Sequence, residues 1–102
     1  MRVLDYYGNE VEVHAVIAEY YNGNTAIRLY TKDGEPWATL TVNFEHKLPD
    51  KNLAFIDTNN FPEAENFIKK YGLGFKIGDR RSGYCVYPLY QLDLNKLRGK
   101  KK

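Results

Sequence analysis

Apolar residues recur at every second position through the first half of the chain and at three- and four-residue intervals through one later segment, which separates strands from a helix. Val11, Val13, Ala15 and Ile17 alternate with Glu12, His14, Val16 and Ala18. Ile27 and Leu29 alternate with Arg28 and Tyr30, and Ala38, Leu40, Val42 and Phe44 with Trp37, Thr39, Thr41 and Asn43. Asn22-Gly23-Asn24 and Asp33-Gly34 divide the three runs, and Asn, Asp and Gly accept the positive φ that tight hairpin turns demand. The pattern predicts a three-stranded antiparallel meander, with Val3 and Leu4 as a short strand at its edge.

A different period follows. After the polar stretch Glu45 to Lys51 and the short apolar run Leu53 to Ile56, the residues Asp57-Thr58-Asn59-Asn60 read as the start of a helix. Asn60 and Glu63 have capping-box spacing, and Pro62 falls in the first turn, where its missing N–H costs nothing. Ala64, Phe67, Ile68 and Tyr71 form one apolar stripe that ends at Gly72, so a helix over residues 60–71 is expected to pack Phe67, Ile68 and Tyr71 on the meander. Glu63 and Glu65 in its first turn and Lys69 and Lys70 in its last complement the helix dipole. Phe75 and Ile77 then read as a strand, Gly78 to Gly83 as a turn, and Tyr84 to Leu92 as a last strand. Pro88 marks that strand as an edge or as bent, because proline cannot donate to a ladder. The expected fold class is α+β: an antiparallel β-meander with one helix packed on it and a C-terminal β-hairpin. Residues 1–94 make a single domain and residues 95–102 a basic, disordered tail.

Composition narrows the class. No apolar run approaches the roughly 18 residues a membrane-spanning helix needs. The lone Cys85 has no internal partner for a disulfide and no secretory leader is legible, so a cytoplasmic location is expected. The net charge of +2 conceals an asymmetry: residues 1–65 carry 5 Lys or Arg against 11 Asp or Glu, whereas residues 66–102 carry 10 against 2. The Arg98 and Lys100-Lys101-Lys102 cluster supplies part of the basic excess and reads as a solvated tail.

Candidate chemistry is sparse. His14 and His46 lie far apart with no Cys or His at ligand spacing, so no metal site is assigned. Cys85 sits inside an expected strand as a small hydrophobe, and capping accounts for Asp57, Glu63 and Glu65. Gly72, Gly74 and Gly78 follow a helix instead of preceding one, unlike a phosphate-binding loop. No catalytic residue and no cofactor are assigned, and the chain is expected not to be an enzyme. Two surfaces suit a partner. One is the basic turn Gly78 to Tyr84, where Arg80, Arg81, Tyr84 and the following Tyr87 combine the Arg and aromatic content of protein hot spots and of single-strand platforms; its plainer reading is a hairpin tip paired with Asp79. The other is the non-core face of the meander, with Arg28, Tyr30, Trp37, Thr39 and Thr41, unless the second half of the chain covers it.

Asp5-Tyr6-Tyr7-Gly8, Tyr21-Asn22-Gly23-Asn24, Ala38-Thr39-Leu40-Thr41-Val42-Asn43, Phe55-Ile56-Asp57-Thr58-Asn59-Asn60 and Gly83-Tyr84-Cys85-Val86-Tyr87-Pro88-Leu89-Tyr90 resemble segments of a family of small uncharacterised proteins. That family is a domain of unknown function from conjugative elements and phages of gut bacteria, and no active-site residue carries over from it. The resemblance implies a context in which small non-enzymatic proteins block host defence nucleases, as anti-CRISPR proteins do. The expected function is therefore a binding protein of a mobile genetic element that inhibits such a nuclease by protein–protein contact. The alternative is a small nucleic-acid-binding module using the basic C-terminal half. The expected partner is a protein, a nucleic-acid enzyme in particular, with nucleic acid itself second; no oligomeric state follows from the pattern.

Overall fold

A computed structural model describes residues 1–99 and divides the strands between two four-stranded antiparallel sheets. The first contains β1 (Arg2–Leu4), β2 (Glu10–Glu19), β3 (Thr25–Thr31) and β4 (Pro36–Thr39), in that order. The second contains β5 (Thr41–Val42), β6 (Leu53–Ile56), β7 (Gly74–Ser82) and β8 (Cys85–Leu92), in the order β5-β6-β8-β7. An eight-residue helix α1 (Ala64–Tyr71) and a four-residue helix α2 (Leu94–Leu97) complete an α+β fold.

The meander forms as the alternation predicts. Val13, Ile27 and Leu29 face the core, and Glu12, His14 and Arg28 face solvent. Its third run, however, is two strands, because the chain leaves the first sheet at Leu40 and opens the second at Thr41. Both backbone groups of Ile27 are satisfied across this crossing: Leu40 N–H donates to Ile27 O at 2.8 Å, and Ile27 N–H donates to Thr41 Oγ1 at 3.1 Å. The crossing also resets the pleat. Leu40 and Thr41 are both buried, so Val42 and Phe44, which period-two reading assigns to the core, lie on the other side of the second sheet.

The helix begins later than the capping-box spacing suggests. The Asn60 backbone N–H and side-chain amide both donate to the Asp57 carboxylate, at 3.2 and 3.0 Å, and Glu63 makes no side-chain cap. Asp57 thus organises a turn that brings Phe61 into the core before the helix starts at Ala64. Ala64, Phe67 and Ile68 are buried as expected, whereas Tyr71 is half-buried and its hydroxyl accepts from Arg2 N–H at 2.6 Å. Gly72, at φ 60°, closes the helix in the left-handed conformation, with Leu73 N–H reaching back to Ile68 O at 2.9 Å.

Three differences from expectation bear on the C-terminal third. β7 continues through Ser82, so Arg80 and Arg81 are strand residues and the turn shrinks to Gly83-Tyr84. β8 is an interior strand, not an edge. Its β6 neighbour reaches only Leu89 to Gln91, however, so at Pro88 the strand is paired on the β7 side alone, which accommodates the missing N–H. Finally, α2 occupies the start of the expected tail: Asp93 accepts from Lys96 N–H at 3.1 Å, and Leu97 is 1% exposed. The core therefore extends to Leu97, past the expected boundary at residue 94, and residues 100–102 lie outside those described.

One core joins both sheets and the helices, with Leu29, Leu40, Ile56, Ile68, Leu92 and Leu97 at its centre. Among the described residues no helix is long and apolar enough to cross a membrane.

Candidate docking face

The second sheet has two apolar faces, and only one of them meets the core. Along β8, Pro88, Tyr90 and Leu92 are buried, while Cys85, Tyr87 and Leu89 alternate with them on the far side and remain half-buried. The pairing extends this outer face across the sheet. Phe55 lies opposite Leu89 and Val42 opposite Phe55, while Arg80 lies opposite Tyr87 and Phe75 opposite Gln91. Phe75 keeps 60% of its surface exposed.

Phe44, two residues beyond β5, is the centre of the face. Its ring meets Phe55 edge to face at 5.2 Å and Tyr87 at 5.5 Å between centroids. The Arg80 guanidinium sits over the same ring, 4.3 Å from its centroid, and reaches the Glu45 carboxylate at 3.7 Å. The Glu45 backbone amide and then Arg80 hold the Glu45 carboxyl below its ordinary range. The Cys85 thiol, two residues along the strand, and partial burial push the Tyr87 phenol up.

The Tyr21 to Asn24 turn holds the loop that carries Phe44. Asn22 Nδ2 donates to Phe44 O at 3.0 Å. The buried Asn24 donates to Asn43 Oδ1 at 2.9 Å and to His46 O at 3.0 Å, and accepts from Leu48 N–H at 2.7 Å. The Asn-Gly-Asn signal therefore does more than reverse a hairpin; its amide side chains replace the ladder bonds that residues 43–48 lack.

Of the six residues singled out from sequence, Arg80 and Tyr87 come together here as a cross-strand pair. Arg81 alternates to the opposite side, exposed, and Tyr84 is fully exposed at the hairpin tip. Tyr30 and Trp37 belong to the first sheet. Tyr30 stacks on His14 with centroids 6.0 Å apart, whereas Trp37 sits where the β3–β4 register shifts and packs against the core. The expected grouping of Arg28, Tyr30, Trp37, Thr39 and Thr41 therefore does not form: Trp37 turns inward, and Thr41 is buried at 2% exposure. Phe44, Phe55 and Phe75 escaped the sequence reading. The available signal was Leu53-Ala54-Phe55-Ile56, apolar at all four positions, which marks a strand with two apolar faces.

Fold and face together define a small two-sheet α+β domain with an open aromatic sheet surface and, among the described residues, no cluster of His, Cys, Asp or Glu that could hold a metal ion. The chain belongs to the DUF4313 family, a domain of unknown function, which it matches over residues 15–101, a stretch that contains every residue of the face. No curated protein and no solved structure matches it.

Proposed function

We propose that the chain is a non-enzymatic binding protein that docks on a protein partner through the outer face of the second sheet, with Phe44, Phe55 and Tyr87 as the apolar centre and Arg80 as the anchor. The observation that carries this reading is the position of these aromatic rings on a sheet face away from the core. Phe44, Phe55 and Tyr87 are half-buried and Phe75 is exposed, and apolar surface left open on a sheet face marks interaction sites, where rings and arginine dominate binding energy. For the partner we propose a host defence nuclease met in the cytoplasm, the protein serving a conjugative element or phage of gut bacteria as an anti-CRISPR-like inhibitor. The resemblance in the five segments quoted above supports that choice, as does the acidic first half, which suits competition for a basic channel.

A second reading, a nucleic-acid-binding module, draws support from Lys76, Arg80 and Arg81 on β7. The ring geometry favours it less. Base stacking needs open ring faces, whereas Arg80 covers Phe44, the neighbouring rings meet edge to face, and aliphatic Val42 and Leu89 flank Phe55 on the adjoining strands. The test is affinity capture from the native host with the intact chain, with F55E, and with R28E on the solvent face of the first sheet, after circular dichroism has verified that each variant folds. A partner retained by the intact chain and by R28E but lost by F55E supports the proposal. Capture indifferent to F55E overturns it, and capture abolished by nuclease treatment transfers the case to nucleic acid.

A further inference from the structure

Edge strands expose N–H and C=O groups that no neighbouring strand satisfies, and folded proteins blunt them by keeping them short, bulged, charged or interrupted by proline. Among the described residues, three of the four edges are blunted by short length or proline. β1 has three residues, β5 has two, and β4 has four and starts with Pro36. β7 is nine residues long. It is bulged once, at Ile77; beyond that point Gly78 to Ser82 pair one to one with Leu89 through Cys85 on one side and, among the described residues, with no strand on the other.

Charge decides which strand could join this edge. β7 carries Lys76, Arg80 and Arg81 against Asp79 alone. Lys76 is paired with Asp79 at 3.0 Å and Arg80 with Glu45, while Arg81, exposed, has no carboxylate partner among the described residues. In the antiparallel register centred on Arg80 a second copy would set Arg80 against Arg80 and Asp79 against Arg81, so self-pairing gains little from charge, whereas an acidic strand meets three cations against one carboxylate. The excess of cations on β7 favours an acidic strand over an identical one.

From this we infer that the β7 edge, from Gly78 to Ser82, takes up an extended acidic segment of a partner protein by strand addition, an inference that rests on the protein-docking reading above and specifies how the partner engages. Main-chain hydrogen bonds supply the affinity in this mode, and alternate side chains of the added strand continue the outer face beside Arg80.

The probes are two capped seven-residue peptides, one alternating Val with Glu and one alternating Val with Lys, titrated into the intact isotope-labelled chain while its amide resonances and hydrogen exchange are followed. The Val–Glu peptide should shift and protect the amides of Gly78 to Ser82, and R81E should weaken it about tenfold through reversal of one cross-strand charge pair. Equal binding of the Val–Lys peptide, perturbation confined to β1 or β4, or no change at millimolar peptide overturns the inference. So does an oligothymidylate that moves the β7 amides more than the Val–Glu peptide does. If the peptides fail while F55E still abolishes partner capture, the edge is withdrawn and the face stands.

Discussion

Thr41 occupies the point where the chain passes from one sheet to the other, and its hydroxyl has a task no hydrocarbon can perform. The N–H and C=O of Ile27 point the same way, toward the place where β4 has ended. Leu40 N–H serves the carbonyl, and Thr41 Oγ1 accepts from the N–H at 3.1 Å. Tyr20 OH meets the same oxygen at 3.0 Å and also donates to Thr41 O at 3.2 Å. T41V keeps the shape and removes only the acceptor. Tyr20 retains the carbonyl, but the Ile27 N–H, in a residue with 0% exposure, is left without a partner. A stranded buried donor costs about 1–3 kcal/mol. At about 4–8 °C per kcal/mol for a domain near this size, a loss of about 2 kcal/mol lowers Tm by about 8–16 °C. T41S keeps the oxygen and loses one methyl group, worth about 0.8 kcal/mol. Serine should therefore be the better tolerated of the two, although burial of apolar surface alone ranks valine above threonine and threonine above serine. Urea denaturation of the three proteins measures the order, and hydrogen exchange at Ile27 tests the cause. A T41V variant as stable as the parent, or an Ile27 amide still protected in it, refutes the account of the crossing.

Phe67 is 3% exposed between Phe61 and Tyr71, so F67A should cost about 3–5 kcal/mol in denaturant melts, and a loss under about 1 kcal/mol would deny that α1 is held by this contact. Tyr90 is buried and donates to Glu65 Oε2 at 2.7 Å; burial first and the carboxylate second push its phenol far above the ordinary value of 10.0. Because the folded state favours the neutral phenol, this group's stabilisation is fully present below pH about 10. It is lost above that at about 1.4 kcal/mol per pH unit until the folded phenol itself ionises. Y90F should flatten the alkaline stability profile by that amount, and ultraviolet titration should show one of the nine tyrosines ionising well after the rest; nine coincident titrations would contradict the burial assigned to Tyr90.

How much of this was legible in the chain depends on whether a local rule met a non-local constraint. Period two located β2 and β3 and their buried faces, since both strands pair within the meander and nothing distant alters their pleat. Gly72 announced the helix C-terminus correctly, because a left-handed cap is a property of one residue. The helix start was misplaced because Asp57, Asn60 and Glu63 offer competing local bonds, and the turn that buries Phe61 prevails over the capping box. Residues 36–44 show the larger failure. Alternation is unbroken there in sequence, yet Leu40 and Thr41 are both buried because Leu40 follows the first sheet and Thr41 opens the second, where the pleat starts anew. No periodicity within one strand reports that a second sheet starts in the middle of it.

The outer aromatic face is illegible in the sequence for the same reason, since the shift in pleat at Leu40 is what turns Phe44 outward. Once Phe44 is outside, the two arginines stop being equivalent. In sequence Arg80 and Arg81 form one basic motif. In the fold, adjacent strand positions face opposite ways, so Arg80 lies on the aromatic cluster and is tied to Glu45, while Arg81 stands clear with no carboxylate partner among the described residues. In the proposed docking mode Arg80, 33% exposed and already held by Glu45, is a preorganised anchor, which reduces the entropy lost on binding. Arg81 contributes charge at the open edge of β7 and no such order. A partner that uses both must place apolar surface on the face and negative charge along the edge. That requirement is stricter than either feature imposes alone, and in the proposed docking mode an acidic strand with alternating apolar side chains meets both parts of it, whereas an uncharged peptide leaves Arg81 without a counter-charge.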